Sequence, residues 1–533
     1  MQFLLILLSL ISSIVNCQLK RPNIIVIVAD DYGWGDIGFH GSQQVRTPNL
    51  DLLASSGIIL NNYYVSPICS PSRSALLTGY HPIHTGLQHD VLNGGQPYGL
   101  PLQYKTLPQY LKSLGYQTHG VGKWHQGFFQ RSYIPTERGF DTHFGYWTGH
   151  EDYYDRTSQE NWWGIDFRDN DKLANLTEYE GQYSTDIYTD KSVDIILRQT
   201  ENTSQPLFLY IAHQSVHAGN GREPLQAPEQ YIDRFKHIKD QRRRTFVAMV
   251  SALDDSMGKV FAALQKADIL DNTIIIFTAD NGGATGGADG KSIDNSIGSN
   301  WPLRGAKYTL WEGGIRGNAF IWSPLLNKHY ISDHLMHIQD WLPTIYSAIG
   351  GNVQDLGPID GIDMWNVLNN NLKSPRKHVL HNIDPLWNVW ALRYNNYKLI
   401  SGSVFNGDFD GWFLPPGESI HLSLNNSIAH QTCEVYKTLK QINYNFNELI
   451  KQVVVNCNKS LKSECHPTVK PCLFDIQSDP CEYNNIYDRK PDIVDHMLVV
   501  LSTYNASAVA PGNKPVNWRA NPALHNYVWD IWM

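Results

Sequence analysis

The 533-residue chain has no excess of positive charge, since 43 Lys and Arg residues stand against 51 Asp and Glu, a formal net charge of −8. Nucleic-acid-binding proteins present a strongly basic face, so this balance argues against that class. Beyond the N-terminus no apolar run approaches the length of about eighteen residues that a spanning helix needs, which predicts a mature protein without a membrane span. Internal repeats and low-complexity blocks are also absent.

Cysteines are scarce and unevenly placed. None lies between positions 69 and 433, and five fall close together near the C-terminus: Cys433, Cys457, Cys465, Cys472 and Cys481. Such a cluster predicts local disulfides formed in an oxidising compartment, with one thiol left over because five is an odd number. A zinc site is the alternative, although the spacings are irregular.

The N-terminus predicts export. Residues 2–15 are almost wholly apolar but too short to span a membrane, so residues 1–17 are interpreted as a secretory signal peptide. Five Asn-x-Ser/Thr triplets fit a lumenal or extracellular setting in which they could carry N-glycans: Asn175, Asn202, Asn425, Asn458 and Asn505. We therefore expect a protein of the secretory pathway, either lysosomal or secreted.

Three runs of mostly apolar residues, the first of them rich in β-branched side chains, predict strands buried on both faces, over 24–29, 206–212 and 273–279. Segments with helical apolar spacing lie between them, so the pattern predicts an α/β fold with a large, mostly parallel mixed sheet sandwiched by helices. Three arginines, 242–244, open one of these helices and are interpreted as a solvated face, with a polyanion site as the alternative.

After about residue 375 the pattern changes to short segments divided by Asn and Gly. This change predicts a smaller C-terminal α+β domain containing an antiparallel sheet. We therefore expect a large domain over residues 18–375 and a smaller one, with the cysteine cluster, over residues 376–533.

Polar side chains follow the predicted strands at the point where each strand ends. Asp30 and Asp31 follow the first strand, and Asp280 and Asn281 follow the last. The carboxyl ends of parallel strands meet at one edge of a sheet, which is where α/β enzymes hold ligands. Adjacent buried carboxylates are costly unless a cation neutralises them, and oxygen ligands favour Ca²⁺ or Mg²⁺. A solvated turn is the alternative for an isolated Asp-Asp pair.

Cationic and imidazole side chains occupy further loops. Lys123 and His125 follow a predicted strand over 116–121 and, being two apart on an extended segment, would share one side of it. His217 and Lys307 lie on other loops. Brought together with the acidic residues, these groups provide what hydrolysis of an oxyanion ester requires.

Two long loops are expected near these residues. The Gly-rich stretch 282–298 could form a mobile loop over the site. The aromatic stretch 131–171, which contains Trp162 and Trp163, is interpreted as a surface excursion that either lines a substrate cleft or simply packs its own rings.

Cys69 begins the segment Cys-Ser-Pro-Ser-Arg-Ser-Ala-Leu-Leu-Thr-Gly, which ends at Gly79. Pro71 and Ser72 favour the first turn of a helix, so a group at its start would lie in the positive field of the helix N-terminus. A buried or disulfide-bonded cysteine is the alternative.

The segment resembles the signature of type I sulfatases, Cys-x-Pro-Ser-Arg-x-x-x-Leu-Thr-Gly. Five further segments resemble motifs of the same family: 29–31, 120–125, 214–217, 278–283 and 301–314. Their sequences are most similar to the branch of arylsulfatase B (N-acetylgalactosamine-4-sulfatase).

The resemblance implies an alkaline phosphatase/sulfatase-like fold, with the catalytic machinery in residues 18–375. It also implies hydrolysis of sulfate esters, on an aryl sulfate or on a sulfated sugar or glycosaminoglycan resembling N-acetylgalactosamine 4-sulfate. Cys69 would be oxidised by the formylglycine-generating enzyme during maturation, and the hydrated aldehyde of formylglycine would be the nucleophile.

The resemblance also implies individual roles. One Ca²⁺ per chain would be bound by Asp30, Asp31, Asp280, Asn281 and the modified Cys69. Arg73, Lys123 and Lys307 would hold the nucleophile and the sulfate oxygens. His217, helped by Lys307, would protonate the departing alcohol, and His125 would deprotonate the second hydroxyl.

The chain departs from the arylsulfatase B pattern in three places. The region after Asn382 is shorter, the upstream cysteines are missing, and His213 stands at a usually apolar position. Two alternatives are considered: a phosphate or phosphonate ester hydrolase of the same superfamily, and a secreted, non-catalytic protein that binds sulfated glycans.

Overall fold

The computed structural model describes residues 21–42, 44–200, 204–286, 291–417, 427–439, 446–457 and 464–533. The predicted signal peptide, 1–17, and the triplets at Asn202, Asn425 and Asn458 lie outside these residues. Asn175 and Asn505 are both exposed. Within the described ranges, no helix has the length and apolar character needed to cross a membrane.

The strands of the described chain form one large sheet and three smaller ones. In chain order they are β1 (Asn23–Ala29), β2 (Ile58–Leu60), β3 (Tyr63–Tyr64), β4 (Gln117–Lys123), β5 (Thr142–Tyr146), β6 (Thr157–Gln159), β7 (Trp163–Ile165), β8 (Arg168–Asp169), β9 (Lys172–Leu173), β10 (Leu207–Ala212), β11 (Thr273–Ala279), β12 (Ala319–Trp322), β13 (Tyr330–Ser332), β14 (Met336–His337), β15 (His378–Asp384), β16 (Val389–Tyr394), β17 (Tyr397–Ser401) and β18 (Cys472–Asp475).

Helices cover the sheets, joined by short 3-10 turns. In chain order they are α1 (Pro48–Ser55), α2 (Cys69–Thr78), α3 (Pro82–Thr85), α4 (Leu107–Ser113), α5 (Ser184–Arg198), α6 (Glu229–Ile232), α7 (Gln241–Lys266), α8 (Glu312–Ile315), α9 (Trp341–Ala348), α10 (Trp365–Asn370), α11 (Ser427–Thr432), α12 (Glu434–Leu439), α13 (Phe446–Val453) and α14 (Pro491–Ser507).

The large sheet has ten strands in the order β13-β2-β12-β11-β1-β10-β4-β5-β8-β9. Its central strands, from β11 through β1, β10 and β4 to β5, are parallel, and β12 joins them antiparallel. Alternate residues of β1 pack into different cores, Ile25 and Ile27 on one face and Ile24 and Val26 on the other. Burial on both faces explains the unbroken apolar runs, and the predicted α/β architecture is confirmed.

Helix α7 begins with the three arginines, one of which is buried. The Arg243 guanidinium donates from Nη2 to Asp36 Oδ1 at 2.5 Å and from Nε to Gln44 Oε1 at 2.7 Å. The interpretation of the whole arginine run as a solvated face is therefore wrong at Arg243. Its charge is needed in the interior because Asp36 is itself fully buried, and an unpaired buried carboxylate is costly.

A second, antiparallel sheet of four strands, β15-β16-β17-β18, lies towards the C-terminus. Helix α14 covers one of its faces, placing Val494 and Met497 against Leu392 and Leu399. The structure confirms the predicted local disulfides, which join Cys457 to Cys481 and Cys465 to Cys472, while Cys433 is a buried free thiol.

Parts of the C-terminal region also pack on the large sheet and its helices. Val435 of α12 joins the core that contains α7. Near the end of the chain, Val528 forms a β-bridge with Ile165, and the Trp529 ring is fully buried in the other core of the large sheet. The division of the chain at residue 375 stays a prediction.

Replacing Arg243 by Ala should destabilise the protein by about 3–5 kcal/mol, because Asp36 is left buried without its partner. Thermal or denaturant unfolding of the purified variant measures the loss. Arg242→Ala is the matched control, since Arg242 is exposed, and its effect should stay within about 0.5 kcal/mol. Equal losses of stability in the two variants would contradict the role of Arg243 as the buried partner of Asp36.

Candidate active site

Side chains from the ends of three strands of the large sheet and from one helix start meet at its carboxyl edge. Asp30 and Asp31 follow β1, Asp280 follows β11, and Lys123 ends β4. Cys69 opens α2 beside them. All are buried with at most 1 % of their surface exposed. The sheet edge therefore brings the predicted groups together, as the topology of parallel strands requires.

The Asp30 carboxylate lies at the centre of this cluster. Its Oδ2 accepts a hydrogen bond from Lys123 Nζ at 2.6 Å, and its Oδ1 lies 3.6 Å from Cys69 Sγ and 3.5 Å from Arg73 Nη2. Burial raises the pKa of Asp30, but the surrounding positive charges, Lys123 foremost, outweigh it and hold the pKa well below its usual range. Asp30 is therefore an anion.

Arg73 links Asp30 to the second strand end. Its Nε and Nη2 both donate to Asp280 Oδ2, at 3.0 and 2.8 Å, while Asp280 Oδ1 accepts from the backbone N–H of Asp31 at 3.2 Å. This geometry fixes the relative position of β1 and β11 at their carboxyl ends. It also turns one Asp280 oxygen towards Arg73.

The carboxylate and amide oxygens at this edge fit a hard divalent cation. Ligand atoms of Asp30, Asp31, Cys69 and His217 all lie within 4.8 Å of one another. Asn281 donates from Nδ2 to Asp31 Oδ1 at 2.7 Å, and its buried Oδ1 has no hydrogen-bond partner among the described residues. A buried acceptor without a partner beside two carboxylates is an atom that a bound cation would satisfy.

Two expectations about this donor set need qualification. His217 belongs to the tightest group although the sequence did not suggest it as a ligand, and Asp280 is outside that group. The physical reason is that Arg73 holds Asp280 Oδ2. Asp280 still contacts Asp31 through its other oxygen, so both remain at the same edge.

The Cys69 side chain is buried at the start of α2. Burial raises the pKa of its thiol well above the usual value, although the nearby charges of Lys123 and Lys307 act in the opposite direction. A thiol that stays protonated is a weak nucleophile. The unmodified cysteine is therefore poorly suited to attack an ester.

His125 has its ring fixed by one backbone contact. Its Nε2 donates to the Leu92 carbonyl at 2.8 Å, because a carbonyl oxygen can only accept, and its buried Nδ1 has no partner in the described part of the chain. Burial, together with the charges of Lys123 and Arg73, lowers the pKa of His125 well below its usual value. The ring is thus neutral, and Nδ1 is a free proton acceptor.

His125 does not reach this place for the reason that the sequence suggested. Strand β4 ends at Lys123, and the backbone of His125 has a left-handed φ of 53°. The argument that two residues of one strand share a side is therefore wrong here. The chain turns beyond Lys123, and both side chains nevertheless reach the same site.

Lys307 and His217 form a second pair. The His217 Nδ1 donates to the Ala218 carbonyl at 2.7 Å, which leaves Nε2 as an acceptor 3.2 Å from Lys307 Nζ. The same Nζ lies 2.9 Å from Asp31 Oδ2 and 2.7 Å from Asp294 Oδ2. Burial lowers the pKa of Lys307, but Asp294 and Asp31 outweigh it and raise the pKa well above its usual value, so the lysine is charged.

A cavity of about 480 Å³ opens above these groups. Cys69, His125, His217 and Lys307 line it together with residues that the sequence analysis did not single out, among them Leu92, His150, Glu160, Asp294 and Tyr308. Asp294 lies in the Gly-rich stretch that was expected over the site, so the sequence indicated the segment but not the residue. His150 and Glu160 lie in the stretch 131–171, which lines the cavity and also packs its own rings, as Phe144 does against Phe167. The interpretation of the whole stretch as a surface excursion is wrong, because it contributes β5 to the large sheet.

Comparison with known proteins decides the family. The family model described as "Sulfatase" matches residues 22–351. The chain belongs to the sulfatase family. This sulfatase is 39% identical over 535 residues to arylsulfatase J of Mus musculus, covering 96% of this chain and 80% of that protein. It is 34% identical over 386 residues to N-acetylgalactosamine-6-sulfatase of Mus musculus, covering 68% of this chain and 69% of that protein.

A solved structure agrees with this assignment. The crystal structure of Ps i-CgsB in complex with k-i-k-neocarrahexaose superposes with a TM-score of 0.72 at 26% identity, covering 92% of this chain and 94% of that one. The sulfatase is therefore a sulfuric ester hydrolase, and the family expected from the sequence motifs is confirmed. Its closeness to the arylsulfatase B branch stays a prediction.

Adding Ca²⁺ to metal-stripped sulfatase should raise its melting temperature, because a ligand that binds only the native state stabilises it. Asn281→Ala removes an oxygen from the donor set, so the variant should need about tenfold more Ca²⁺ for the same rise in melting temperature. Asn366→Ala, which alters an exposed amide on α10, is the control and should respond like the wild type. Identical Ca²⁺ titrations of all three proteins would exclude Asn281 from the cation site.

Proposed function

We propose that this sulfatase hydrolyses sulfate esters of a sulfated sugar, of the glycosaminoglycan class, through formylglycine made from Cys69 and a bound Ca²⁺. One observation carries the proposal: Cys69 lines the cavity and lies 3.6 Å from an Asp30 carboxylate that is surrounded by cations. The names of two similar proteins refer to N-acetylgalactosamine 6-sulfate and to a carrageenan-type hexaose, which supports a sugar substrate. The position of the sulfate on the sugar, including the 4-sulfate, stays a prediction.

The state of the Cys69 thiol supports the need for modification. A protonated, buried thiol is a weak nucleophile, as its raised pKa shows. Oxidised to formylglycine by a formylglycine-generating enzyme, residue 69 would supply a hydrated aldehyde, with one hydroxyl to attack sulfur and a second to expel sulfate. The cavity beside Cys69 has room for both the modified side chain and a substrate.

Asp30, Asp31, Asp280 and Asn281 would hold Ca²⁺, which supplies positive charge for the sulfate oxygens. Arg73 and Lys123 contribute a fixed positive field around the same atoms, since both contact Asp30. Their guanidinium and ammonium groups are already desolvated, so they stabilise developing negative charge without reorganising.

His125 would accept the proton of the second hydroxyl of the hydrated aldehyde, the hydroxyl that expels sulfate. Its Nε2–H donates to the Leu92 carbonyl, so Nδ1 is the ring nitrogen that remains to accept a proton. The low pKa keeps this atom unprotonated before the reaction.

Lys307 and His217 are placed to deliver a proton to the departing sugar oxygen. Lys307 Nζ directs an N–H towards His217 Nε2 at 3.2 Å, and both side chains line the cavity. The Ala218 carbonyl fixes the His217 ring, so its Nε2 keeps facing Lys307. In this pair the proton starts on the charged Lys307 Nζ. It would pass to His217 Nε2 and from Nε2 to the departing oxygen, which leaves Lys307 neutral.

The cellular setting proposed is the secretory pathway, with a lysosomal or secreted destination. Two disulfides form in the C-terminal region, which fits an oxidising compartment. The exposed triplets at Asn175 and Asn505 are the glycan acceptors that the described surface offers.

Mass spectrometry of the tryptic peptide spanning residues 47–73, from protein made in a secretory host, tests the central step. Residue 69 should be found as an aldehyde without sulfur. Cys69→Ala should fold normally, yet lose at least about a thousandfold of its sulfate ester hydrolysis because no nucleophile remains. An unmodified Cys69 in fully active enzyme would overturn the mechanism, and faster turnover of phosphate esters than of sulfate esters would overturn the substrate class.

His217→Gln should slow the hydrolysis of sugar sulfates by about 10²–10⁴-fold, because an alkoxide leaves poorly without a proton. The loss should be much smaller for 4-nitrophenyl sulfate, whose phenolate leaves unaided. Steady-state rates on both substrates give the comparison, with His125→Gln as the control that should affect both alike. Equal losses for His217→Gln on the two substrates would remove His217 from the general-acid role.

A further inference from the structure

An exposed tryptophan stands beside the cavity on the β6–β7 hairpin. Gln159 lines the cavity, and in the hairpin register it pairs directly with Trp163. Directly opposed residues of an antiparallel pair project to the same face, with Cβ atoms about 5 Å apart. The Trp163 side chain therefore extends the cavity wall outward, and 49% of its surface is exposed.

A second exposed ring continues this surface. The Tyr527 ring centroid lies 6.3 Å from that of Trp163, the two ring planes are inclined by 59°, and 58% of Tyr527 is exposed. Trp163 and Tyr527 together form an aromatic platform that begins at the cavity wall. The platform is neutral, unlike the charged floor of the cavity.

The platform is held rigidly from behind. The Ile165 N–H donates to the Tyr527 carbonyl at 2.8 Å, and the Trp529 N–H donates to the Ile165 carbonyl at 2.9 Å, so the chain end pairs with β7. The buried Trp529 ring donates from Nε1 to the Ser158 carbonyl at 3.0 Å. These contacts hold the backbone of the hairpin and of residues 527–529, from which both rings project.

Exposed aromatic rings beside a cavity are typical of ligand surfaces rather than of plain solvent-facing surface. One face of a pyranose ring presents C–H groups, which are attracted to the negative face of an aromatic ring. The small cavity and its charges suit the sulfated residue, whereas the uncharged platform next to it suits the flat face of another sugar.

We propose that Trp163 and Tyr527 form a second carbohydrate subsite, which binds the sugar adjoining the sulfated residue held in the cavity. The substrate is then an oligosaccharide or a polysaccharide chain rather than a free monosaccharide. This inference rests on the proposed function, because it assigns the neighbouring part of the same substrate.

The test compares a chondroitin sulfate hexasaccharide with 4-nitrophenyl sulfate, which is too small to reach the platform. In Trp163→Ala and in Tyr527→Ala the ratio of kcat/KM for the hexasaccharide to that for the aryl sulfate should fall about tenfold, mainly through KM. Trp163→Phe keeps a ring and should restore most of the ratio. Leu524→Ala removes an exposed apolar side chain of the same C-terminal segment without removing a ring, and should leave the ratio at the wild-type value.

Calorimetric titration of the hexasaccharide into Cys69→Ala, with and without Trp163→Ala, gives a readout independent of turnover, and the second substitution should weaken binding by a similar factor. An unchanged ratio or an equal loss on both substrates would each overturn the subsite. If the wild type, carrying formylglycine, hydrolyses neither substrate, the proposed function itself is overturned.

Discussion

Neutralisation of buried charge is the constraint on which the rest of this sulfatase depends. Two adjacent carboxylates, Asp30 and Asp31, end β1 at a place without access to solvent. Their desolvation is tolerated because Lys123, Arg73 and Lys307 each contact one of them. These cations come from different parts of the chain, so the folded sheet is needed to bring them together. The same arrangement that solves this folding problem places the buried ammonium groups of Lys123 and Lys307 near Cys69.

Much of the fold could be predicted from the sequence because its strands are buried on both faces. Such strands must be apolar without interruption, and β1 and β11 therefore stand out from the chain. The positions of Asp30 and Asp280 follow from those strands, since parallel neighbours end at the same edge. Short strands such as β8 and β9 give no comparable pattern, because two residues are too few to show a period.

The features that were missed depend on contacts between distant segments. Burial of Arg243 depends on Asp36, which lies far away in the sequence, and a local run of arginines gives no indication of it. Asp294 belongs to the site because it contacts Lys307, whereas the Gly-rich composition around it predicts only a loop. The contact of Trp529 with the hairpin is of the same kind. The type of a side chain indicates which reactions it can support, but packing between distant segments decides which side chains reach the site.

The burial of Cys69 has a consequence for the order of events in biosynthesis. Strands β10 and β11, which complete the sheet around β1, are made long after Cys69, and residues 527–529, which support the hairpin, are made later still. Once this sheet has formed, only 1% of the Cys69 surface is exposed, and another protein cannot reach its sulfur. Any enzyme that oxidises Cys69 must therefore act on the growing or still unfolded chain. Folding would then limit the time available for such an oxidation, and slower assembly of the sheet would lengthen that time.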